Sequence, residues 1–150
     1  MLRSRHFRSE DGSAALEFIT AGLLLLVPLV YLVMAVAAVQ GGALAVEGAS
    51  RQAARVFVQA PTAVVAQSRA QTAVDFALAD FGVSEGSASV RVSCSPHPAE
   101  CLTRRGFVTV TVTARIALPL APPALNVKTP LTVPLTATST EQVSRFWGAG

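Results

Sequence analysis

Residues Phe18 to Val39 read FITAGLLLLVPLVYLVMAVAAV, 22 residues without a charge, and the uncharged stretch continues to Val46. At about 1.5 Å rise per residue, about 20 residues cross the hydrocarbon core of a bilayer, so the run is long enough to span one as a helix. Pro28 would break a helix in water, but in a membrane helix it is tolerated as a kink. The flanks set the orientation. Arg3, Arg5 and Arg8 precede the run, and the first basic residues after it are Arg51 and Arg55. The positive-inside rule then places the N-terminus in the cytoplasm and the chain beyond residue 46 outside.

The rest of the composition agrees with one membrane-anchored domain. The chain has 150 residues, 51% of them hydrophobic but only 6% aromatic, so Ala, Val and Leu supply the apolar content. That excludes a disordered chain, and the length suits a single core. A net charge of +3, scattered along the sequence, gives no basic footprint for nucleic acid. A cleaved secretory signal competes with the span. Ala35-Val36-Ala37 supplies a small-residue cleavage site, but the apolar run exceeds the usual signal core of about 7–15 residues. Glu10, Asp11 and Glu17 also stand where a signal peptide is basic or apolar.

Immediately before the span the chain runs Arg8-Ser9-Glu10-Asp11-Gly12-Ser13-Ala14-Ala15-Leu16-Glu17-Phe18. A carboxylate at the mouth of a membrane helix costs up to about 3 kcal/mol at mid-bilayer and less near the interface. Glu17 therefore either marks the solvated membrane boundary or has a partner. A cut after Gly12 would create an amine on Ser13, four residues before Glu17 and one helical turn away, within reach of that carboxylate in its own or a neighbouring chain.

A short basic leader ending in Gly, four small or apolar residues, then Glu-Phe and an apolar helix resembles the prepilin-peptidase site of type IV pilins. The Glu-Phe form is similar to the TadE-like minor pilins (pseudopilins) of the tight-adherence pilus system. Glu47-Gly48-Ala49-Ser50-Arg51-Gln52-Ala53-Ala54-Arg55 resembles the Ala/Arg-rich helix that follows the span in that family. The likeness covers residues 8 to about 58 and extends further only in general layout. It implies processing between Gly12 and Ser13 by a prepilin peptidase, and a role for Glu17 and Phe18 in assembly with other pilin-like subunits and the pilus machinery. The domains expected are a cytoplasmic basic leader (1–12), a transmembrane helix in the cytoplasmic membrane (13–46) and an extracytoplasmic domain (47–150). An uncut bitopic protein whose outer domain binds another envelope protein, and a domain released by signal peptidase near Ala37, remain as alternatives.

Residues 40–81 are Ala-rich with a helical period. Glu47, Arg51 and Arg55 fall on one stripe, with Glu N-terminal to Arg in the favourable order, forming either a solvated face or a contact between subunits. Gly41-Gly42 is expected to bend the helix as it leaves the bilayer. A second helix is expected from Pro61-Thr62, with Thr62 near its cap, to about Phe81, where Gly82 stops it. Phe76 and Phe81 are expected to anchor the core. From Ser87 the period changes to two. Ser89–Ser93 alternates, Val108 to Ile116 alternates with Thr109, Thr111, Thr113 and Arg115, and Leu131–Thr140 makes a third strand with Pro134 marking an edge. The Pro-rich link Leu118–Pro130 connects strands rigidly. The fold class expected is α+β: a long N-terminal membrane helix, a second helix, and a small antiparallel sheet whose covered face meets the helices.

Cys94 and Cys101 flank Pro96, His97 and Pro98 between the first two strands. An even pair outside the cytoplasm fits a disulfide closing a short loop. Free thiols or a metal site recruiting His97 are the alternatives, though no fourth ligand has suitable spacing. Catalytic motifs are missing from the sequence. His6 would lie across the membrane from His97, the single lysine Lys128 sits in the Pro-rich link, and Asp75, Asp80 and Glu85 form no defensible acid–base pair. A non-enzymatic protein without a cofactor is expected.

Overall fold

A computed structural model describes residues 11–119 and 131–148. Most of the basic leader and the Pro-rich link from residue 120 onward lie outside the described residues. Five elements follow in order: α1 (Asp11–Val58), α2 (Ala63–Ala79), β1 (Ser89–Ser95), β2 (Phe107–Ala117) and β3 (Thr132–Gln142). The class is α+β, with three antiparallel strands in the order β1-β2-β3.

α1 is 48 residues long, about 72 Å at about 1.5 Å per residue. Its two halves are built differently. From Ala14 to Gln40 most side chains are exposed, including the leucines and valines of the apolar run. From Gly42 onward one stripe is buried, comprising Gly42, Val46, Ala49, Ser50, Ala53, Ala54 and Phe57. These positions recur at the three- and four-residue steps of one helical face. Ser50 is the one polar member, and its hydroxyl donates to the Glu47 carbonyl at 2.9 Å.

α2 returns alongside α1 and buries Ala66, Ala70, Val74 and Leu78, one side chain per turn. Alanines on both facing stripes let the helix backbones approach closely. The Thr62 hydroxyl caps α2 by accepting from the Val65 N–H at 3.3 Å. The helix ends at Ala79, two residues earlier than expected, and Gly82 follows with a φ of +70°, where a Cβ would be strained.

Each strand extends the alternating run that specified it. In β2 the covered face carries Val108, Val110, Val112, Ala114 and Ile116, all buried against the helices. The opposite face pairs Thr109, Thr111 and Thr113 with Thr140, Thr138 and Thr136, their hydroxyls 2.8, 3.1 and 2.9 Å apart. The register sets Ile116 against Val133 at one end and Phe107 against Gln142 at the other, and Pro134 sits on an edge strand as expected. α1 packs under β2 and β3, so the Ala-rich helices cover the sheet.

α1 runs unbroken through Gly41-Gly42 to Val58. Gly42 allows close approach: a Cβ there would lie 2.7 Å from Ile116 Cγ1 and 3.2 Å from Leu135 Cδ1. One expectation is corrected. Phe76 is not a core anchor, being 85% exposed. It stands two residues from both Val74 and Leu78, about 200° around the helix, and so faces away from the stripe they form. Phe81 is exposed as well, in the turn after α2, with one ring edge near Gly41.

Candidate functional site

The N-terminal half of α1 carries the residues singled out in the sequence. One helix among the described residues is long and apolar enough to cross a membrane, and its most apolar window has no side chain buried within the protein. Burying an exposed Leu or Val contributes about 1.5–3 kcal/mol, so an apolar environment outside the chain would stabilise this surface. Glu17 and Phe18 stand exposed at the start of the apolar stretch, Phe18 at 81%. Leu16, Glu17, Thr20, Ala21 and Leu24 form a shallow depression around the carboxylate.

The backbones of Gly12 and Ser13 lie in the first turn of α1, one turn before Glu17. Helical geometry therefore brings Gly12, Ser13, Glu17 and Phe18 together within two turns at one end of a rod. At the other end of the charge-free run Glu47 forms an ion pair with Arg51, both side chains well exposed. Such an i, i+4 pair contributes about 0.3–0.5 kcal/mol and makes a solvated face. Arg55 is likewise exposed.

The second predicted pair lies at the far end of the domain. Cys94 in β1 and Cys101 in the following loop form a disulfide with Cα atoms 5.1 Å apart. Both sulfurs are thereby taken, and His97 stands exposed in the loop between them. Among the described residues no group of three His, Cys, Asp or Glu side chains is placed to hold a metal ion.

The structure adds two features that the sequence did not single out. A groove of about 620 Å³ runs between α1 and α2, with Val56 and Ala73 on its floor and Gln52, Gln59, Arg69 and Phe76 around it. The turn at Trp147 also docks on the connection between α1 and α2. Trp147 Nε1 donates to the Ala60 carbonyl at 3.0 Å, and Arg104 Nε donates to the Trp147 carbonyl at 3.0 Å. A lone tryptophan near the end of a chain poor in aromatics was the available signal for that clasp.

No protein-family model, curated protein or solved structure matches the chain.

Proposed function

We propose that the chain is a membrane-anchored minor pilin-like subunit, similar to the TadE-like proteins of the tight-adherence pilus, cut by a prepilin peptidase after Gly12. The observation that supports this most is the continuity of α1. One helix carries Gly12, Ser13, Glu17 and Phe18 at its mouth, then an exposed apolar stretch, then the buried stripe that holds the outer domain. Placed with the basic leader inside, α1 sits in the cytoplasmic membrane and the α+β domain stands outside.

The physical sequence of events follows from that layout. A peptidase must bring the scissile bond into its own cleft, and glycine lets the backbone approach with no Cβ in the way. The cut leaves an ammonium on Ser13, one helical turn from the Glu17 carboxylate. Pairing the two compensates charges that would each be expensive alone in a low-dielectric setting. Transfer of α1 from lipid to a bundle of neighbouring helices then loses little hydrophobic free energy, because both surroundings are apolar, and packing and polar contacts decide the outcome. This assigns Glu17 to assembly and Gly12 to processing. The outer domain acts as the surface that meets partner subunits.

The test separates the two roles. Gly12→Val is expected to leave a precursor 12 residues longer than the mature chain, still inserted because the apolar run is unchanged. Glu17→Ala is expected to be cut yet to co-purify poorly with partner subunits, with Glu17→Asp milder. Precursor and mature bands are read on a gel beside the co-purified partners. Normal processing of Gly12→Val would defeat the peptidase assignment, and full assembly of Glu17→Ala would reduce Glu17 to a boundary residue. A released domain has one observation in its favour: the buried stripe of α1 begins at Gly42, so a cut near Ala37 would keep every buried residue. The mass of the mature chain distinguishes that outcome from cleavage after Gly12.

A further inference from the structure

The position of the domain along α1 fixes its height above the bilayer. Between the carboxylates of Glu17 and Glu47 lie 29 uncharged residues, about 44 Å of helix at about 1.5 Å per residue. The hydrocarbon core is about 30 Å thick and the whole bilayer with its headgroups about 40–45 Å. The uncharged run therefore matches the full bilayer, not the hydrocarbon core alone. Centred on Leu32, the roughly 20 residues that fill the core run from about residue 22 to residue 41, so Gly41 and Gly42 lie where the outer headgroup layer begins.

The folded domain already packs against one face of α1 at that height. A Cβ on Gly41 would lie 3.6 Å from Phe81 Cε1, and Gly42 packs against Ile116 and Leu135. At the same end of the sheet the Leu118 N–H donates to the Leu131 carbonyl at 2.9 Å. Phe81 is 38% exposed, Leu131 is 42% exposed and Leu118 is half-buried, so this end presents apolar surface around the emerging helix. Asp80 is exposed beside Phe81 and keeps the surface out of the hydrocarbon, since a carboxylate remains hydrated among headgroups.

We propose that the membrane-proximal end of the domain, formed by Phe81, Leu118 and Leu131, rests in the phospholipid headgroup layer of the bilayer that α1 crosses. The inference rests on α1 spanning the membrane and goes beyond it, because a span alone would allow the domain to stand clear of the lipid. Amphipathic surfaces at this depth gain by burying apolar area at the boundary between headgroups and acyl chains. The contact holds the domain against the membrane and is lost when α1 leaves the bilayer.

The experiment uses the full chain in phosphatidylcholine vesicles carrying a nitroxide quencher either on the headgroup or at the acyl terminus. Tryptophan is introduced singly as Phe81→Trp, Leu131→Trp, Leu32→Trp or Val64→Trp, and each signal is read as the difference from the parent with its native Trp147. Leu32 reports the middle of the span. Val64, 82% exposed, is an apolar position at the opposite end of α2. The expected result is loss of Phe81→Trp and Leu131→Trp emission with the headgroup quencher, more than with the acyl-terminus quencher. Leu32→Trp should show the reverse order, and Val64→Trp should lose little with either. If Leu32→Trp is quenched from the acyl terminus but the two base positions behave like Val64→Trp, the domain stands clear and the proposal fails while the span survives. An unquenched Leu32→Trp overturns both. Two base positions are used so that the misfolding of one variant leaves the other to decide.

Discussion

Substituting Gly42 and Gly48 by alanine in the same helix should have clearly different effects. Both lie inside α1, where alanine is favoured over glycine by about 1 kcal/mol on conformational grounds. Around Gly48 a Cβ meets nothing within 4 Å, so Gly48→Ala should realise that gain. At Gly42 the new methyl would fall 2.7 Å from Ile116 Cγ1, 3.0 Å from its Cγ2 and 3.2 Å from Leu135 Cδ1. Ile116 is β-branched and held in the sheet, so its Cγ atoms move only with the strand or with an eclipsed rotamer. Overpacking of this kind costs about 1–3 kcal/mol. Gly42→Ala should therefore be less stable than Gly48→Ala by about 1–3 kcal/mol, which for a domain of this size separates their melting temperatures by at least about 4 °C. Thermal unfolding of the full chain in detergent, followed by Trp147 fluorescence, measures the gap. In an Ile116→Ala background most of the penalty should vanish, since the two nearest atoms are gone and only Leu135 Cδ1, at 3.2 Å, still meets the methyl. Equal stabilisation by the two substitutions would refute the close approach of helix and sheet at Gly42.

Two further outcomes follow from the packing. Unreduced protein should resist thiol alkylation after denaturation, and replacing both Cys94 and Cys101 by Ser should lower stability by about 2.5 kcal/mol, the loop-closure value for about eight residues. Within α2, Leu78→Ala should cost about 2–5 kcal/mol because its side chain is fully buried, whereas Phe76→Ala should stay within about 0.5 kcal/mol, a contrast that denaturant midpoints resolve.

Much of the fold is legible because its elements have strong periods. The long N-terminal helix is marked by its apolar run, and the strands by alternation of Val with Thr, whose hydroxyl pairs form the open face of the sheet. The Thr62 cap and the Cys94–Cys101 bridge follow from local chemistry and spacing. What fails is contact over distance. Gly41-Gly42 reads in the sequence as a local backbone feature of the helix, and its packing role shows only when Ile116, more than 70 positions away, is seen to need the space. Phenylalanine is the largest apolar side chain in α2 and attracts a core assignment, yet the buried stripe belongs to Ala66, Ala70, Val74 and Leu78. Close helix packing in this domain selects small side chains and leaves Phe76 outside. Within the site, the helical spacing of Gly12, Ser13, Glu17 and Phe18 could be read in advance, because all four lie on one helix. The groove between α1 and α2 could not, because it depends on how the two helices pair.

The N-terminal sequence of protein extracted from the membrane of cells containing a prepilin peptidase tests the proposed function most directly. Cleavage after Gly12 predicts a mature chain beginning Ser13-Ala14-Ala15-Leu16-Glu17-Phe18. A chain that still begins at Met1, or one that begins near Ala38, would contradict it.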